Sequence, residues 1–396
     1  MTAIRPGIEV LAGDRADLVR GARVGLIAHP ASVSRDLVHA SALLAGAGAR
    51  LVRLFAPEHG IGASHQDMVA IDEVEDPLSG LPVVSLYGDS EASLVPRAEH
   101  LEDLDVLVAD LQDVGSRYYT FFATVVRALP AAARSGVRVV VADRPNPLGG
   151  LVTEGNIVRE DFRSFVGELP VANRHAMTIG ELAVMARATR SIDVELEVVR
   201  AEGWLCGDAW DEPGLPWVLP SPNMPTLDTA LVYPGGCLCE GTNLSEGRGT
   251  TRPFELVGAP WLDGSDLARR LGNLELPGAA FRPVRFVPGF QKHAGRACGG
   301  VQVHVTNRKT FRPLLTGLAV VVEARASAPG DFRWRTEPYE FVNDIPAFDL
   351  LAGTGGWRLA IEAGATARDV AASGDEERTK AGEAMQRYAL YARPHS

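Results

Sequence analysis

The chain has few basic side chains, few cysteines and no long apolar run, and each shortage closes off a class of function. Lysine and arginine number 39 against 50 aspartates and glutamates, a net charge of −11 over 396 residues. That sign repels a phosphate backbone, so nucleic acid is not an expected partner. The four cysteines, Cys206, Cys237, Cys239 and Cys298, lack the paired C-x-x-C spacing of a zinc ribbon. They read as reduced, structural residues, with Cys237-Leu-Cys239 in a strand-like stretch. His59 and His65 stand six apart without an H-E-x-x-H helix motif, so no metal is expected. No G-x-S-x-G elbow offers a serine nucleophile. No G-x-G-x-x-G follows the first strand, where Gly21-Ala-Arg-Val-Gly25-Leu-Ile27 runs straight through, and a dinucleotide cofactor is not expected. Apolar stretches fall short of the roughly 18 residues a membrane span needs. Met1 to Pro6 has no basic segment leading into an apolar run. As numbered, the chain is expected to be cytoplasmic and not membrane-inserted, or secreted or periplasmic if an upstream leader has been removed.

What is present is a long, apolar chain, 46% hydrophobic, with enough material for two lobes. The first 200 or so residues alternate short β-branched runs with helical patterns, the signature of βαβ units and a parallel sheet. Buried strands are predicted at 24–28, 51–55, 83–86, 106–110 and 137–142, with crossover helices at 37–47 and 118–133. Beyond Trp217 proline and glycine cluster through 220–260. Strand-like segments at 281–287 and 300–306 then mix with helical patterns at 314–323 and 365–391. The expected architecture is α/β: a Rossmann-like parallel-sheet lobe, 1–220, followed by a smaller α+β lobe, 221–396.

In an open parallel sheet, ligands bind beyond the carboxyl ends of the strands. Those ends carry His29-Pro30, Pro57-Glu58-His59-Gly60, Asp110-Leu-Gln-Asp113 and Asp143-Arg-Pro-Asn146-Pro147. Glu58 follows a proline that fixes its approach and precedes His59 and Gly60, a position open to a general acid or to a carboxylate that bonds its own loop. Asp110 and Asp113 lead into Arg117, Tyr118 and Tyr119, which either position a sugar or tie the loop down through an Asp113–Arg117 ion pair. Asn146 lies in a rigid turn. His175 precedes a helix opened by a capping box, Thr178 with Glu181, and is either a ligand contact or a structural histidine.

The densest polar stretch runs from Pro220-Ser-Pro-Asn223-Met-Pro225 through Glu240-Gly-Thr-Asn-Leu-Ser-Glu246-Gly-Arg248-Gly-Thr-Thr-Arg252. It holds too little apolar content to read as core. Its amides, with Arg248 and Arg252, suit a carboxylate or phosphate. It is not a Walker loop, because five residues separate Gly241 from Gly247 and no Lys-Ser/Thr follows.

Taken in order, Phe55-Ala-Pro-Glu58-His-Gly60, Gly80-Leu-Pro-Val-Val-Ser-Leu-Tyr87-Gly88, Asp110-Leu-Gln-Asp-Val-Gly-Ser-Arg117-Tyr-Tyr-Thr120, Asp143-Arg-Pro-Asn-Pro-Leu-Gly-Gly150, Ser221-Pro-Asn-Met-Pro225 and the 240–253 stretch resemble the exo-β-N-acetylmuramidases, glycoside hydrolase family 171. The likeness spans nearly the whole chain. It implies a cleft between the two lobes and release of N-acetylmuramic acid from the non-reducing end of peptidoglycan fragments. It further implies Glu58 as the catalytic glutamate. Asp110, Glu240 or the substrate's own acetamido group stands as the second catalytic group. His59, Arg117, Tyr118, Asn146, His175, Asn223, Arg248 and Arg252 are candidate substrate contacts, the two last for the lactyl carboxylate of muramic acid. Two departures from the family pattern lie near the cleft: Ile61-Gly-Ala-Ser-His-Gln66 where Arg-Gly is frequent, and Ala176 where glycine is preferred. Two rival readings are a binder of cell-wall sugars without turnover and an enzyme acting on a phosphorylated or nucleotide substrate.

Overall fold

The computed structural model describes residues 4–66, 68–70, 75–208, 210 and 214–393. Its first lobe is built on six parallel strands: β1 (Arg23–Ile27), β2 (Arg50–Ala56), β3 (Val83–Ser85), β4 (Val106–Ala109), β5 (Arg138–Ala142) and β8 (Leu196–Val199). They lie in the order β3-β2-β1-β4-β5-β8, all neighbours parallel. This is the Rossmann order, which reverses between β1 and β4 and opens a crevice there.

The strands are apolar throughout because both faces are covered. Val24, Leu26, Val106, Val108, Val140 and Ala142 point to one face, beside the helices Gly7–Ala12 and Ala40–Gly46. Ile27, Leu107, Ala109, Val139 and Val141 point to the other, under the helix Phe121–Arg134. The alternation is the strand period of two, read on a sheet with two cores.

Between β5 and β8 the chain makes a two-stranded antiparallel ribbon, β6 (Glu154–Ile157) with β7 (Ala172–Arg174). The second lobe carries a three-stranded antiparallel sheet, β9 (Leu256–Ala259), β10 (Ala279–Phe286) and β11 (Cys298–Val305), in the order β10-β11-β9. Helices Leu227–Gly236 and Pro313–Ser327 cross beside it with their backbones in contact. A Cβ on Gly235 would lie 2.0 Å from the Pro313 carbonyl oxygen, and one on Gly317 would lie 2.2 Å from that of Gly235. One continuous apolar core joins this pair to the sheet of the first lobe.

Several local expectations are corrected. The 37–47 helix begins only at Ala40, since Leu37 is left-handed (φ 63°) and His39 accepts the Ser41 amide as a cap. The 365–391 pattern breaks into Ala367–Ala372 and Asp375–Met385, because Gly374 lets the chain pass close to Asn156. Cys237–Gly241 is a 3-10 turn rather than a strand, with Cys237 and Cys239 buried. The stretch judged too polar for core is largely buried as well: it contains the helix Leu227–Gly236, and Glu240, Glu246 and Arg248 are enclosed by satisfying one another. The chain then returns to the first lobe, where the Tyr391 hydroxyl donates to Asp143 (2.8 Å) and Arg393 pairs with Glu181 (2.7 Å).

Candidate active site

β2 ends at Ala56, and the turn that follows carries Glu58 into a pocket between the lobes. His59 (φ 75°) and Gly60 (φ 83°) are both left-handed, and the Gly60 amide closes the turn on the Pro57 carbonyl at 3.0 Å. Glu58 is only 5% exposed, and Thr120 donates its hydroxyl to Oε2 at 2.7 Å. Thr120 stands directly before the helix Phe121–Arg134, so the crossover helix that follows β4 orients the carboxylate at the end of β2, two strands away. His59 reaches the His65 carbonyl with Nδ1 (3.0 Å) and lies edge-on to Phe121.

The opposite wall comes from the second lobe. Glu240 sits in the 3-10 turn after the helix Leu227–Gly236, where Gly241 allows the Phe348 backbone to approach. Arg248 donates to Glu240 Oε1 at 2.7 Å, and the Tyr339 hydroxyl donates to Oε2 at 2.8 Å. Burial pushes the Glu240 carboxyl up, but the Arg248 charge and the two hydrogen bonds outweigh it and leave the group below its ordinary value. Arg248 also faces Glu246 (3.4 Å) and lies 5.0 Å over the Phe254 ring. Lys292 completes the cluster, donating to Glu246 (3.0 Å) and to the carbonyls of Cys239 (2.9 Å) and Leu244 (3.0 Å). Burial raises Tyr119, Tyr233 and Tyr339 far above the ordinary phenol range, so they line the pocket as neutral hydroxyls.

Of the candidates read from the sequence, Glu58, His59, Tyr118, Asn223, Glu240 and Arg248 come together here. Tyr118 spends its hydroxyl on the Pro234 carbonyl, and Asn223 donates to Gln66 Oε1 at 2.7 Å. The remaining candidates lie outside the lining. Asp110 is wholly buried in a two-pronged pair with Arg144, with Nη2 2.8 Å from Oδ2, an ion pair that ties the end of β4 to the end of β5. Arg117 makes no ion pair with Asp113; it donates to the carbonyls of Asn156, Val171 (both 2.8 Å) and Leu351 (2.9 Å) and rivets the ribbon to the second lobe. Burial brings its pKa down to about 10, so it stays charged. Asn146 spans its own turn, from the Met177 carbonyl to the Leu148 amide (both 2.9 Å). His175 is enclosed 3.3 Å from Asp113. Arg252 is half-exposed beside Glu255 (3.4 Å). These five shape the rim rather than face the pocket.

Missed by the sequence reading were Thr120 as partner of Glu58, and Tyr339 and Glu340 of the second lobe. Thr120 closed a quoted motif and was legible in principle as the residue before a helix. Tyr339 and Glu340 belong to no motif, and nothing local marks them. Ala176, where the family prefers glycine, is left-handed (φ 54°), which is the physical reason for that preference. Among the described residues no group of three or more His, Cys, Asp or Glu side chains is arranged to hold a metal ion, and no helix is long and apolar enough to cross a membrane.

A buried carboxylate from a sheet rim faces a paired carboxylate, a guanidinium and a set of neutral phenols across an interlobe pocket, which defines a two-lobed α/β protein equipped for glycosidic-bond chemistry. The chain belongs to the exo-β-N-acetylmuramidase NamZ family: the models of that family's N- and C-terminal domains match residues 24–228 and 231–391. It is 40% identical over 389 residues to the peptidoglycan β-N-acetylmuramidase NamZ of Bacillus subtilis (strain 168), an alignment covering 98% of this chain and 91% of that protein. Crystal structures of two DUF1343 family proteins from Bacteroides fragilis have the same fold. One superposes with a TM-score of 0.88 at 32% identity, covering 99% of this chain and 100% of the other. The second does so with a TM-score of 0.76 at 26% identity, covering 98% and 99%.

Proposed function

We propose that this protein is a glycosidase that releases N-acetylmuramic acid from the non-reducing end of peptidoglycan-derived saccharides, with Glu58 as the acid that protonates the departing oxygen. The observation that carries the assignment is the placement of Glu58: buried at a strand end, with one oxygen engaged by Thr120, in the pocket shared with Glu240 and Arg248. Arg248 is the one arginine or lysine among the described lining residues. It is therefore the cation for the lactyl carboxylate that distinguishes muramic acid from glucosamine, with Glu240 and Glu246 holding its guanidinium in place. His59, Asn223 and Tyr118 are the proposed polar and planar contacts to the ring. The net charge of −11 opposes a nucleic-acid partner.

The test is incubation with a chromogenic β-N-acetylmuraminide beside the matching glucosaminide. Release from the first and not the second is expected. Failure to cleave the muraminide, by protein with a cooperative melting transition, overturns the assignment. In Glu58→Gln the amide oxygen still accepts from Thr120 but no proton can be given. Turnover on a saccharide with a poor leaving group is expected to fall by about 100-fold or more at an unchanged melting temperature.

A further inference from the structure

Glycoside hydrolysis needs a second group beside the acid, one that meets the positive charge growing at the anomeric carbon. Of the two carboxylates suggested by the sequence, Asp110 lies outside the pocket lining in its pair with Arg144, and the charge of Glu240 is met by Arg248 at 2.7 Å. Resting on the glycosidase reading above, we propose that Glu340, delivered from the second lobe, is the second carboxylate of the reaction.

Two features single it out, its burial in the pocket and the strained turn that carries it. Glu340 lines the same pocket as Glu58 and is 5% exposed, with the Tyr87 hydroxyl donating to Oε2 at 3.0 Å. It sits at the tip of a two-residue hairpin, since Tyr339 and Val342 exchange both backbone hydrogen bonds (2.9 and 3.0 Å). Both residues between them are left-handed, Glu340 at φ 47° and Phe341 at φ 68°. Such a turn favours Asn-Gly, and Glu-Phe holds it only against steric resistance. The hairpin is pinned in place by Tyr339 on Glu240 and by Phe341 against the Tyr87 ring, 5.6 Å between centroids. A strained backbone and a buried carboxylate both oppose folding, and strain of this kind persists where the site uses it.

Across the pocket, Glu58 gives its proton to the glycosidic oxygen as the bond from that oxygen to C1 breaks. Anionic Glu340 opposes the charge on C1. Water supplies the hydroxyl that C1 gains, and the proton it sheds returns to the carboxylate pair, so each turnover consumes one water and restores both groups.

The experiment compares Glu340→Gln, Glu340→Gly and Glu58→Gln with the unaltered chain on an aryl N-acetylmuraminide, which has a good leaving group, and on a muramyl disaccharide, which has a poor one. Glu58→Gln loses turnover chiefly on the disaccharide. Glu340→Gln loses about 100-fold or more on both, because the charge at C1 develops whichever group departs. Glu340→Gly melts no lower than the unaltered protein, since glycine takes φ 47° without strain, yet shows the same loss. Turnover of Glu340→Gln within a few-fold of the unaltered chain on both substrates overturns the inference. So does a Glu340→Gly variant that melts lower while its folded fraction stays active. An unaltered chain that cleaves neither muraminide overturns the glycosidase reading itself and this inference with it.

Discussion

Arg248 and Arg252 look alike in the sequence, four residues apart in one polar stretch, and the molecule treats them oppositely. Arg248 is enclosed between Glu240 and Glu246, whereas the Arg252 side chain is 47% exposed beside Glu255. Removing a buried partner strands a carboxylate in low dielectric, while an exposed pair contributes little. Arg248→Ala is therefore expected to destabilise the fold by about 3–5 kcal/mol, and to raise KM for muraminides. Arg252→Ala should leave both within error. Melting curves and muraminide KM values for the two variants check this, and equal effects would remove Arg248 from substrate recognition. The same contrast runs through the other candidates: Asp110 was marked as a candidate catalytic group and Arg117 and Asn146 as candidate substrate contacts, but each is committed to a partner from 31 to 234 positions away. No local window contains that information.

At the scale of elements, two devices place the chemistry. The strand-to-turn exit after β2 presents Glu58, and the crossed helices Leu227–Gly236 and Pro313–Ser327 present Glu240 from the turn that follows the first of them. The crossing depends on glycine at both contact points. Gly317→Ala would drive a methyl group to 2.2 Å from the Gly235 carbonyl oxygen, so the helices must separate. Overpacking of this kind costs about 1–3 kcal/mol. The expected outcome is a lower melting temperature with kcat reduced in the folded protein, because the Glu240 turn shifts with its helix. Gly272→Ala is the control, since a Cβ there meets nothing within 4 Å. Equal behaviour of the two variants would show that close approach at Gly317 does not matter. Element type was legible where a pattern was local: the apolar runs of β1, β2, β4 and β5, and the Thr178–Glu181 capping box, in which each side chain receives the other's backbone amide. It was misread at Cys237–Gly241, where alternation over three residues resembled a strand but the turn is set by packing against Phe348.

At the scale of the whole molecule, the C-terminal segment closes on the first lobe through Asp143. This carboxylate is wholly buried, accepting from Thr178 (2.6 Å), Gly180 (2.8 Å) and Tyr391 (2.8 Å). Burial outweighs those bonds and pushes its pKa up to about 6 from an ordinary 3.8. A carboxyl raised on folding binds its proton more tightly in the native state. Its contribution is therefore full below about pH 4 and is lost as the pH rises through about 6. Asp143→Asn does not titrate, so the melting temperature of the unaltered protein relative to the variant should be most favourable near pH 4 and decline toward pH 7. A difference that stays constant across that range would show that the Asp143 carboxyl titrates at its ordinary value when folded.

The sequence by itself determined five of the six parallel strands of the first lobe, missing Leu196–Val199, together with the proline and glycine turns at its rim and the family to which the chain belongs, because these are written in neighbouring residues and in ordered motifs. Only the tertiary structure decided which rim residues face the pocket. Glu58 was oriented by Thr120, Asp110 was withdrawn by Arg144, Glu240 was held by Arg248 and Tyr339, and Glu340 was brought in on a hairpin that no motif announced. The physical reason is that a buried charge goes where its partners are, and here most of those partners come from distant segments that meet only when the two lobes close on one core.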